Sequence, residues 1–367
     1  MLSTLEMSKR KWIGAVAGLL VLSVAGYYVY QRRAASSSSG RNDLLEMMPA
    51  DASAVVFADL GELRSTPFVA QLFAWAPQPE PDEDYAKFLN ETGFHYERDL
   101  DHLAIAFQKS GQDSAFFAVA DGRFDRQKIS ALANKSGTAE KHGGQEIFAI
   151  PESGGAKRIY LTFLSNDRIA LTDRADLGES LGKKRSDDGK EEWRSRFERL
   201  GGSPVFAVIR QDAGTGQALT ERAPGGFSSP QLSVALDRLQ WITLAGKPEN
   251  DRLHLVAEGE SATEDTANQL ADLLKGVLAL AEAGLNDAKT RQQLDPSLRE
   301  AYLALLKSAD VSKIDRGDTK SVRIAFEITP AFLESARRAS MVPMVPPAPP
   351  TKPAPRNPAS RPKKGSS

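Results

Sequence analysis

The chain has 367 residues, contains no cysteine and carries a net charge of −1. The lack of cysteine excludes disulfide bonds, cysteine-ligated zinc sites, iron–sulfur clusters and thiol catalysis, and it is compatible with an oxidising or a reducing compartment. The net charge hides an uneven distribution: residues 1–41 hold six Lys and Arg against one acidic residue, and residues 341–367 hold five against none, which leaves −11 for the body between them. Phosphate backbones repel such a body, so we expect no nucleic-acid partner.

The first predicted element is a transmembrane helix over residues 12–30, WIGAVAGLLVLSVAGYYVY, which contains no charged residue. At about 1.5 Å per residue this stretch is just long enough to cross a hydrocarbon core of about 30 Å. Trp12 marks one end and Tyr30 the other, at the depths where amphipathic rings settle, and basic residues flank both ends. We therefore expect the lipid bilayer to be the partner of residues 12–30.

The basic residues on the two sides of this segment nearly balance, so their count favours neither orientation. We expect residues 1–11 in the cytoplasm, a single pass through the cell inner membrane, and a periplasmic or otherwise extracytoplasmic body. Residues 31–43, with four consecutive serines at 36–39, predict a flexible spacer. A cleaved signal peptide is the alternative, since Ser23-Val24-Ala25 offers the small residues that a signal peptidase reads.

The body contains an internal repeat, which predicts two α+β copies at residues 44–200 and 201–340. The sequence LDHLAIAF at 100–107 resembles LDRLQWIT at 236–243, and each precedes a strand ending in Asp-Gly or Glu-Gly, at 119–122 and 256–259. The alternative, that apolar strands look alike, stays open. The joint between the copies is expected at Gly201-Gly202.

Further elements match in the same order, and they are listed here with the first copy before the second. A leading strand is predicted at 53–58 and 204–209, a helix at 126–135 and 264–280, and a closing strand at 168–171 and 323–326. Each copy then has the order strand, helix, strand, strand, helix, strand, with an extra hairpin at 158–173 in the first. This order favours an α+β fold, a mostly antiparallel sheet with helices on one face, and a ligand cleft between the copies.

An amphipathic helix is predicted just before the joint. Trp193, Phe197 and Leu200 share one face of it. The opposite, water-facing side is predicted to carry Glu191, Glu192, Arg194 and Arg196.

The chain ends in a Pro-rich basic segment, residues 341–367, that lacks periodicity and large apolar residues. Such a composition predicts a disordered, partly polyproline-II tail. Its proline runs are compatible with an aromatic groove of an adaptor, and Lys363 and Lys364 with an anionic polymer or headgroup layer. A solubilising tail without a partner is the simpler interpretation.

A Gly-x-Ser-x-Gly motif at 178–182 is the strongest enzyme-like signal. In hydrolases this motif turns a strand sharply into a helix so that the serine oxygen is exposed. Here the preceding strand ends near Thr172, so Ser180 is predicted inside a short helix. The only later histidine, His254, is expected in the middle of a strand, facing solvent or a neighbour rather than acting as a base. A serine hydrolase therefore remains an alternative that the context does not favour.

Other motifs lack the spacing that their chemistry needs. His95 and His102 could hold a metal only if a loop brought them together. A nearby acidic stretch lacks the central glycine of a calcium-binding loop; its acidic residues are Glu80, Asp82, Glu83 and Asp84. The glycines at 178–182 and 214–216 lack the spacing of a phosphate-binding loop. We predict no catalytic residue, no cofactor-binding residue, no metal ligand and no cofactor.

The start of the body carries a resemblance. LLEMMPADA at 44–52 leads into the strand VVFADL at 55–60. This combination of anchor, spacer and segment resembles uncharacterised bacterial membrane-anchored envelope proteins whose ectodomain begins with a Leu-Pro-Ala-Asp-type segment. Met48 stands where those proteins usually have Leu. The resemblance implies a bacterial envelope location and a duplicated ectodomain, and it supplies no catalytic residue.

Together these features predict a non-enzymatic, single-pass envelope protein that serves as a binding or assembly scaffold for an envelope protein or polymer. Two alternatives remain. One is a serine hydrolase that uses Ser180. In the other, the body is only a spacer and the basic tail docks on an anionic polymer or an adaptor.

Overall fold

A computed structural model describes residues 38–75, 83–110, 113–142, 144–151, 157–182, 189–211, 230–317 and 319–341. The strands are β1 (Ala54–Asp59), β2 (Leu100–Ser110), β3 (Asp113–Gly122), β4 (Thr138–His142), β5 (Gln145–Pro151), β6 (Arg158–Phe163), β7 (Arg168–Thr172), β8 (Val205–Arg210), β9 (Trp241–Glu249), β10 (Arg252–Ser261), β11 (Asp310–Asp315) and β12 (Lys320–Ile328). All of them join one twelve-stranded sheet in the order β11-β12-β10-β9-β8-β1-β2-β3-β7-β6-β5-β4.

The described helices connect these strands. They are α1 (Ser38–Glu46), α2 (Leu60–Arg64), α3 (Pro67–Trp75), α4 (Glu83–Thr92), α5 (Tyr96–Asp99), α6 (Arg126–Ser136), α7 (Leu177–Gly182), α8 (Lys190–Arg199), α9 (Pro230–Leu236), α10 (Glu264–Asn286), α11 (Ala288–Gln293), α12 (Pro296–Lys307) and α13 (Pro330–Met341). Local capping explains several starts: the side chain of Asp125 accepts the N–H of Lys128 in α6, and the side chain of Thr263 accepts the N–H of Thr266 in α10.

The sheet runs outward in the same order from its two central strands. β1 and β8 pair antiparallel, with Phe57 opposite Phe206. On one side β2, β3, β7 and β6 follow β1, and on the other side β9, β10, β12 and β11 follow β8. We call residues 44–200 the first half and residues 201–341 the second half. The predicted α+β fold with an antiparallel sheet is confirmed.

Both faces of the sheet are covered, and this corrects the prediction of helices on one face. Leu103 and Ile105 of β2 belong to one buried cluster and Ala104 and Ala106 to another. Successive side chains of a strand point to opposite faces, so two separate cores exist. We call the face of Leu103 face A and that of Ala104 face B.

Each face has its own set of helices. α2, α3, α6 and α13 contribute buried side chains to the core on face A, and α10 extends the cover over Ile242 of the second half. α1, α7 and α8 cover face B, where Phe57, Phe206 and Trp241 form the floor. The alanines of β2 on face B leave room for helices to approach the strands closely. The centre of the fold therefore has three layers: helices on face A, the sheet, and helices on face B.

The two halves share one continuous sheet, so the cleft predicted between them does not form among the described strands. Pairing of β1 with β8 occupies the edges that would have bordered it. Two further details differ from prediction. The first half carries an additional antiparallel strand pair, β4 and β5, at the edge of the sheet. In the second half, LDRL at 236–239 is not part of a strand: it forms the end of α9 and a turn, and β9 begins only at Trp241.

The predicted spacer also differs from the structure. Its last residues, from Ser38 to Asp43, belong to α1. Residues 1–11, the predicted span at 12–30, residues 31–37 and the tail from residue 342 lie outside the described residues. Among the helices that the structure describes, none combines the length and apolarity needed to cross a bilayer.

Other predicted elements are confirmed. β6 and β7 form the hairpin expected at 158–173, and α6 and α10 begin where expected, although α10 extends to Asn286.

Candidate functional site

The centre of face B is organised around Arg41, which lies on α1. Its guanidinium carbon is 5.1 Å from the ring centroid of Phe57 and 4.9 Å from that of Phe206, so it covers the central strand pair. The same guanidinium donates to the carbonyl oxygens of Leu200 and Gly201, each at 2.9 Å. Burial lowers the pKa of Arg41, and nearby Asp59 opposes that effect. α1 is thus fastened to both halves of the sheet at once.

A row of charged side chains crosses face B of the first half beneath α1. We call Asp59, His102, Asp121 and Arg168 the first-half charge row. Nε2 of His102 lies 3.4 Å from an oxygen of Asp59, and Nδ1 lies 3.6 Å from an oxygen of Asp121. Arg168 donates to both oxygens of Asp121, at 2.6 and 2.9 Å. Two carboxylates therefore alternate with two cationic groups.

Burial and charge act in opposite directions on this row. Burial lowers the pKa of His102, but Asp121 and Asp59 outweigh it and raise the pKa to about 9. For the carboxyl group of Asp121 the directions are reversed: burial raises its pKa, but His102 and Arg168 outweigh burial and hold the pKa below its ordinary value. The row consequently carries balanced charges at neutral pH. It is suited to stabilising the fold, since α1 passes close over it: a Cβ added at Gly40 would lie 3.6 Å from both Asp121 and His102.

A shallow groove runs between α1 and α8 on the same face. Leu45, Met48, Trp193 and Phe197 line it, and its volume is about 120 Å³. Small-molecule sites usually have about 300–1,000 Å³, so the groove is too small for a typical substrate. The indole N–H of Trp193 donates to the carbonyl of Ala50 at 3.2 Å, which fixes one wall.

The first glycine of the serine motif lies at a close packing contact. Ser180 lies within α7, as predicted, and four residues separate the end of β7 at Thr172 from the start of that helix. A Cβ at Gly178 would come within 2.5 Å of the His142 ring, so this glycine allows α7 to pack against β4. His254 lies in the middle of β10, 3.6 Å from Glu249 and 3.9 Å from Glu327.

The two histidines that were considered as metal ligands, His95 and His102, occupy different environments. His95 is exposed at the start of α5, where its backbone N–H donates to Asp99, whereas His102 is buried in the first-half charge row. Glu83 opens α4, Asp84 follows it, and Glu80, Asp82 and the glycines at 214–216 lie outside the described residues. Within the described part of the chain, no group of three or more acidic or histidine side chains is placed to hold a metal.

One side chain of α8 differs from prediction. Trp193 and Phe197 face the core as expected, but Arg196 is buried as well. Its guanidinium carbon lies 3.9 Å from the ring centroid of Trp241, and it donates to Glu260 at 2.5 Å. Helical spacing placed Arg196 on the polar side, and nothing local in the sequence indicates a buried carboxylate 64 residues later.

Comparisons with known proteins give little further information. No protein-family model matches the chain, and no curated protein matches it. Three solved crystal forms of TP0453 are similar to it. Form III has a TM-score of 0.41 and 11% identity, covering 82% of this chain and 98% of that chain. Form IV has a TM-score of 0.40 and 11% identity, with the same coverage of both chains. Form I has a TM-score of 0.41 and 10% identity, covering 81% of this chain and 97% of that chain. TM-scores at this level carry no argument about role.

Proposed function

We propose that this protein is a non-enzymatic, single-pass membrane protein whose body serves as a binding or assembly scaffold outside the cytoplasmic membrane of a bacterium. The observation that carries the proposal is the attachment of α1. This helix follows the predicted span after only residues 31–37, which extend at most about 25 Å, and Arg41 fastens it to both central strands. A membrane anchor at 12–30 would hold the whole sheet close to the bilayer.

The proposal includes a duplicated body. Three observations support it: the matching strand order on the two sides of β1 and β8, the pairing of Phe57 with Phe206, and a shared cross-strand ion pair. Asp121 faces Arg168 in the first half, and Glu258 faces Arg323 in the second. The motifs at 119–122 and 256–259, and at 168–171 and 323–326, thereby have equivalent places in the sheet.

The absence of cysteine offers a clean test of the topology. Single cysteines at Asp251, whose side chain is 53% exposed, and at Ser3 are introduced separately into the full chain. Intact cells are then treated with a membrane-impermeant maleimide. We expect Asp251→Cys to be labelled in intact cells and Ser3→Cys to be labelled only after the membrane is permeabilised.

Each other outcome has a defined meaning. Labelling of Asp251→Cys only after lysis would place the body in the cytoplasm and overturn the proposal. A mature protein that has lost Ser3, detected by intact mass, would replace the anchor with a cleaved signal peptide. Recovery of the full chain in the cytosolic fraction would remove the membrane tether altogether.

Two alternatives are tested in the same preparations. A fluorophosphonate probe that labels the wild type but not Ser180→Ala would support a hydrolase. Binding to an anionic polymer that weakens with salt and is lost on truncation at Met341 would assign the partner to the basic tail, with the body as a spacer.

A further inference from the structure

Four arginines gather on face B of the second half around two buried carboxylates. We call Arg196, Arg199, Arg316 and Arg323, together with Glu258 and Glu260, the arginine cluster. Glu260 is fully buried and accepts from Arg196 at 2.5 Å and from Arg199. Glu258, which is 5% exposed, accepts from Arg316 through both oxygens and from Arg323 at 3.3 Å. The strands β10 and β12 and the helix α8 supply most of this set.

The cluster has more positive than negative charge. Glu258 and Glu260 lie two residues apart on one strand, and Arg199 acts on both of them. Burial raises the pKa of Glu258, but Arg316, Arg199 and Arg323 hold it below its ordinary value, so this carboxylate stays ionised. Four guanidinium groups then face two carboxylates. Within the described residues the cluster carries a net charge of +2.

Some donors of the cluster have no acceptor. The Nε–H groups of Arg196 and Arg323 are buried and make no hydrogen bond among the described residues. A buried donor without a partner is destabilising, so the two carboxylates do not satisfy all the donors of the cluster. The carboxylates lie beneath, whereas the side chains of Arg199, Arg316 and Arg323 are 29%, 24% and 42% exposed. Three arginines of the cluster therefore reach solvent, while Arg196 and the two carboxylates are buried.

The corresponding place in the first half is filled differently. There the first-half charge row is balanced, and Gly40 of α1 lies directly over Asp121 and His102. In the second half, Arg323 stands opposite Glu258 as Arg168 stands opposite Asp121, yet it is twice as exposed as Arg168, at 42% against 21%. The arginine that pairs with the strand carboxylate is thus more accessible to solvent in the second half than in the first.

We propose that the arginine cluster binds a phosphate group, held by Arg199, Arg316 and Arg323 above the two carboxylates. A phosphate monoester or inorganic phosphate brings a charge near −2, which matches the surplus, and its tetrahedral oxygens suit the planar guanidinium fork. This site does not depend on the membrane anchor or on the function proposed above. Inorganic phosphate and a phosphate group on a lipid are the two sources that the site could bind.

The test uses the full chain in a neutral detergent and inorganic phosphate as the probe. Binding is measured by isothermal titration and by the shift of the melting temperature, with sodium chloride at matched ionic strength as the reference. We expect phosphate to raise the melting temperature above the chloride reference. Arg323→Gln and Arg199→Gln are each expected to weaken phosphate binding at least tenfold.

Arg252→Gln is the matched control. Arg252 is 52% exposed, lies on the same strand as Glu258 and pairs with Glu327 at 2.9 Å, outside the cluster. This variant should bind phosphate like the wild type. The proposal is overturned if phosphate and chloride act equally on the wild type, or if Arg323→Gln, shown by circular dichroism to be folded, binds phosphate as the wild type does.

A second titration distinguishes the sources. Short-chain phosphatidic acid below its micelle concentration is compared with inorganic phosphate. Tighter binding of the lipid that Arg323→Gln also weakens assigns the site to a headgroup, whereas equal binding assigns it to the free anion. Lipid binding that is insensitive to Arg323→Gln, without phosphate binding, counts against the proposal.

Discussion

The two halves of the sheet place the same kind of ion pair in different surroundings. In the first half, Asp121 and Arg168 belong to a balanced row that α1 covers. In the second half, Glu258 and Arg323 belong to a cluster with surplus arginine that reaches solvent. A shared strand order therefore fixes where this ion pair stands, but the net charge around it and its accessibility depend on neighbouring residues and on one covering helix.

The difference starts from the strand next to each carboxylate. His102 lies opposite Asp121 on β2, and Thr243 lies opposite Glu258 on β9. When it is protonated, the histidine adds a positive charge between two aspartates, whereas the threonine adds no charge. In the second half α8 supplies Arg196 and Arg199 instead. These two arginines pair with Glu260, which lies two residues after Glu258 on β10.

The largest expected effect comes from the second half. Glu260→Gln leaves Arg196 buried without its counter-charge, which should lower the free energy of unfolding by about 3–5 kcal/mol. Chemical denaturation of the full chain measures this. Glu249→Gln, at an exposed carboxylate of the same sheet, should change the value by less than about 0.5 kcal/mol. Equal effects of the two variants would show that Glu260 is not a structural anchor.

The next effect separates the halves by pH. The folded-state pKa of His102, about 9, lies above its unfolded value of about 6.5. The stability that its protonation contributes is therefore fully present below pH 6.5 and is lost as pH rises through 9. The loss amounts to at most about 3 kcal/mol. Denaturation from pH 6 to pH 10 measures it, and in His102→Gln this slope should disappear. A slope that persists in the variant would assign it to another group.

Removal of the central arginine should have a smaller effect. Arg41→Ala loses charge-assisted hydrogen bonds to Leu200 and Gly201 and should lower the free energy of unfolding by about 2 kcal/mol. Amide exchange should accelerate in α1 before it does in β1. Arg41→Lys keeps the charge but not the flat fork, and it should recover only part of the loss. Unchanged exchange in α1 would contradict the role of Arg41 as its attachment.

The smallest effect compares the two equivalent arginines. Arg168→Gln should cost about 1–2 kcal/mol, because Asp121 is mostly buried and keeps only His102. Arg323→Gln should cost less than about 1 kcal/mol, since the arginine is half-exposed and Glu258 keeps Arg316. Thermal unfolding of both variants measures the difference. The reverse order would mean that the second half depends on its arginines for folding.

Local sequence patterns predicted the elements that local physics determines. α6 and α8 were predictable from apolar spacing, and the β6–β7 hairpin from its polar turn. The edge strand β4 was missed because every residue from Thr138 to His142 is exposed, so no apolar alternation marks it. α1 was missed because its first residues belong to a serine run, and its tertiary contacts through Arg41 outweigh the low helix propensity of serine.

The burial of β2 on both faces corresponds to a pattern in the sequence. Leu103-Ala104-Ile105-Ala106 is a continuous apolar run, as expected for a strand that is buried on both sides. The first-half charge row has no such pattern in the sequence. Asp59, His102 and Asp121 are far apart along the chain, and only the pairing of β1, β2 and β3 brings them together.

The central position of β1 also has a consequence for synthesis. In the finished sheet β1 has neighbours on both sides, but its partner β8 follows about 150 residues later. Until that strand has emerged, Ala54–Asp59 offers an open row of backbone donors and acceptors to any extended segment nearby. Nascent chains arrested after residue 200 should therefore aggregate or require a chaperone, whereas chains released after residue 211 can close the gap.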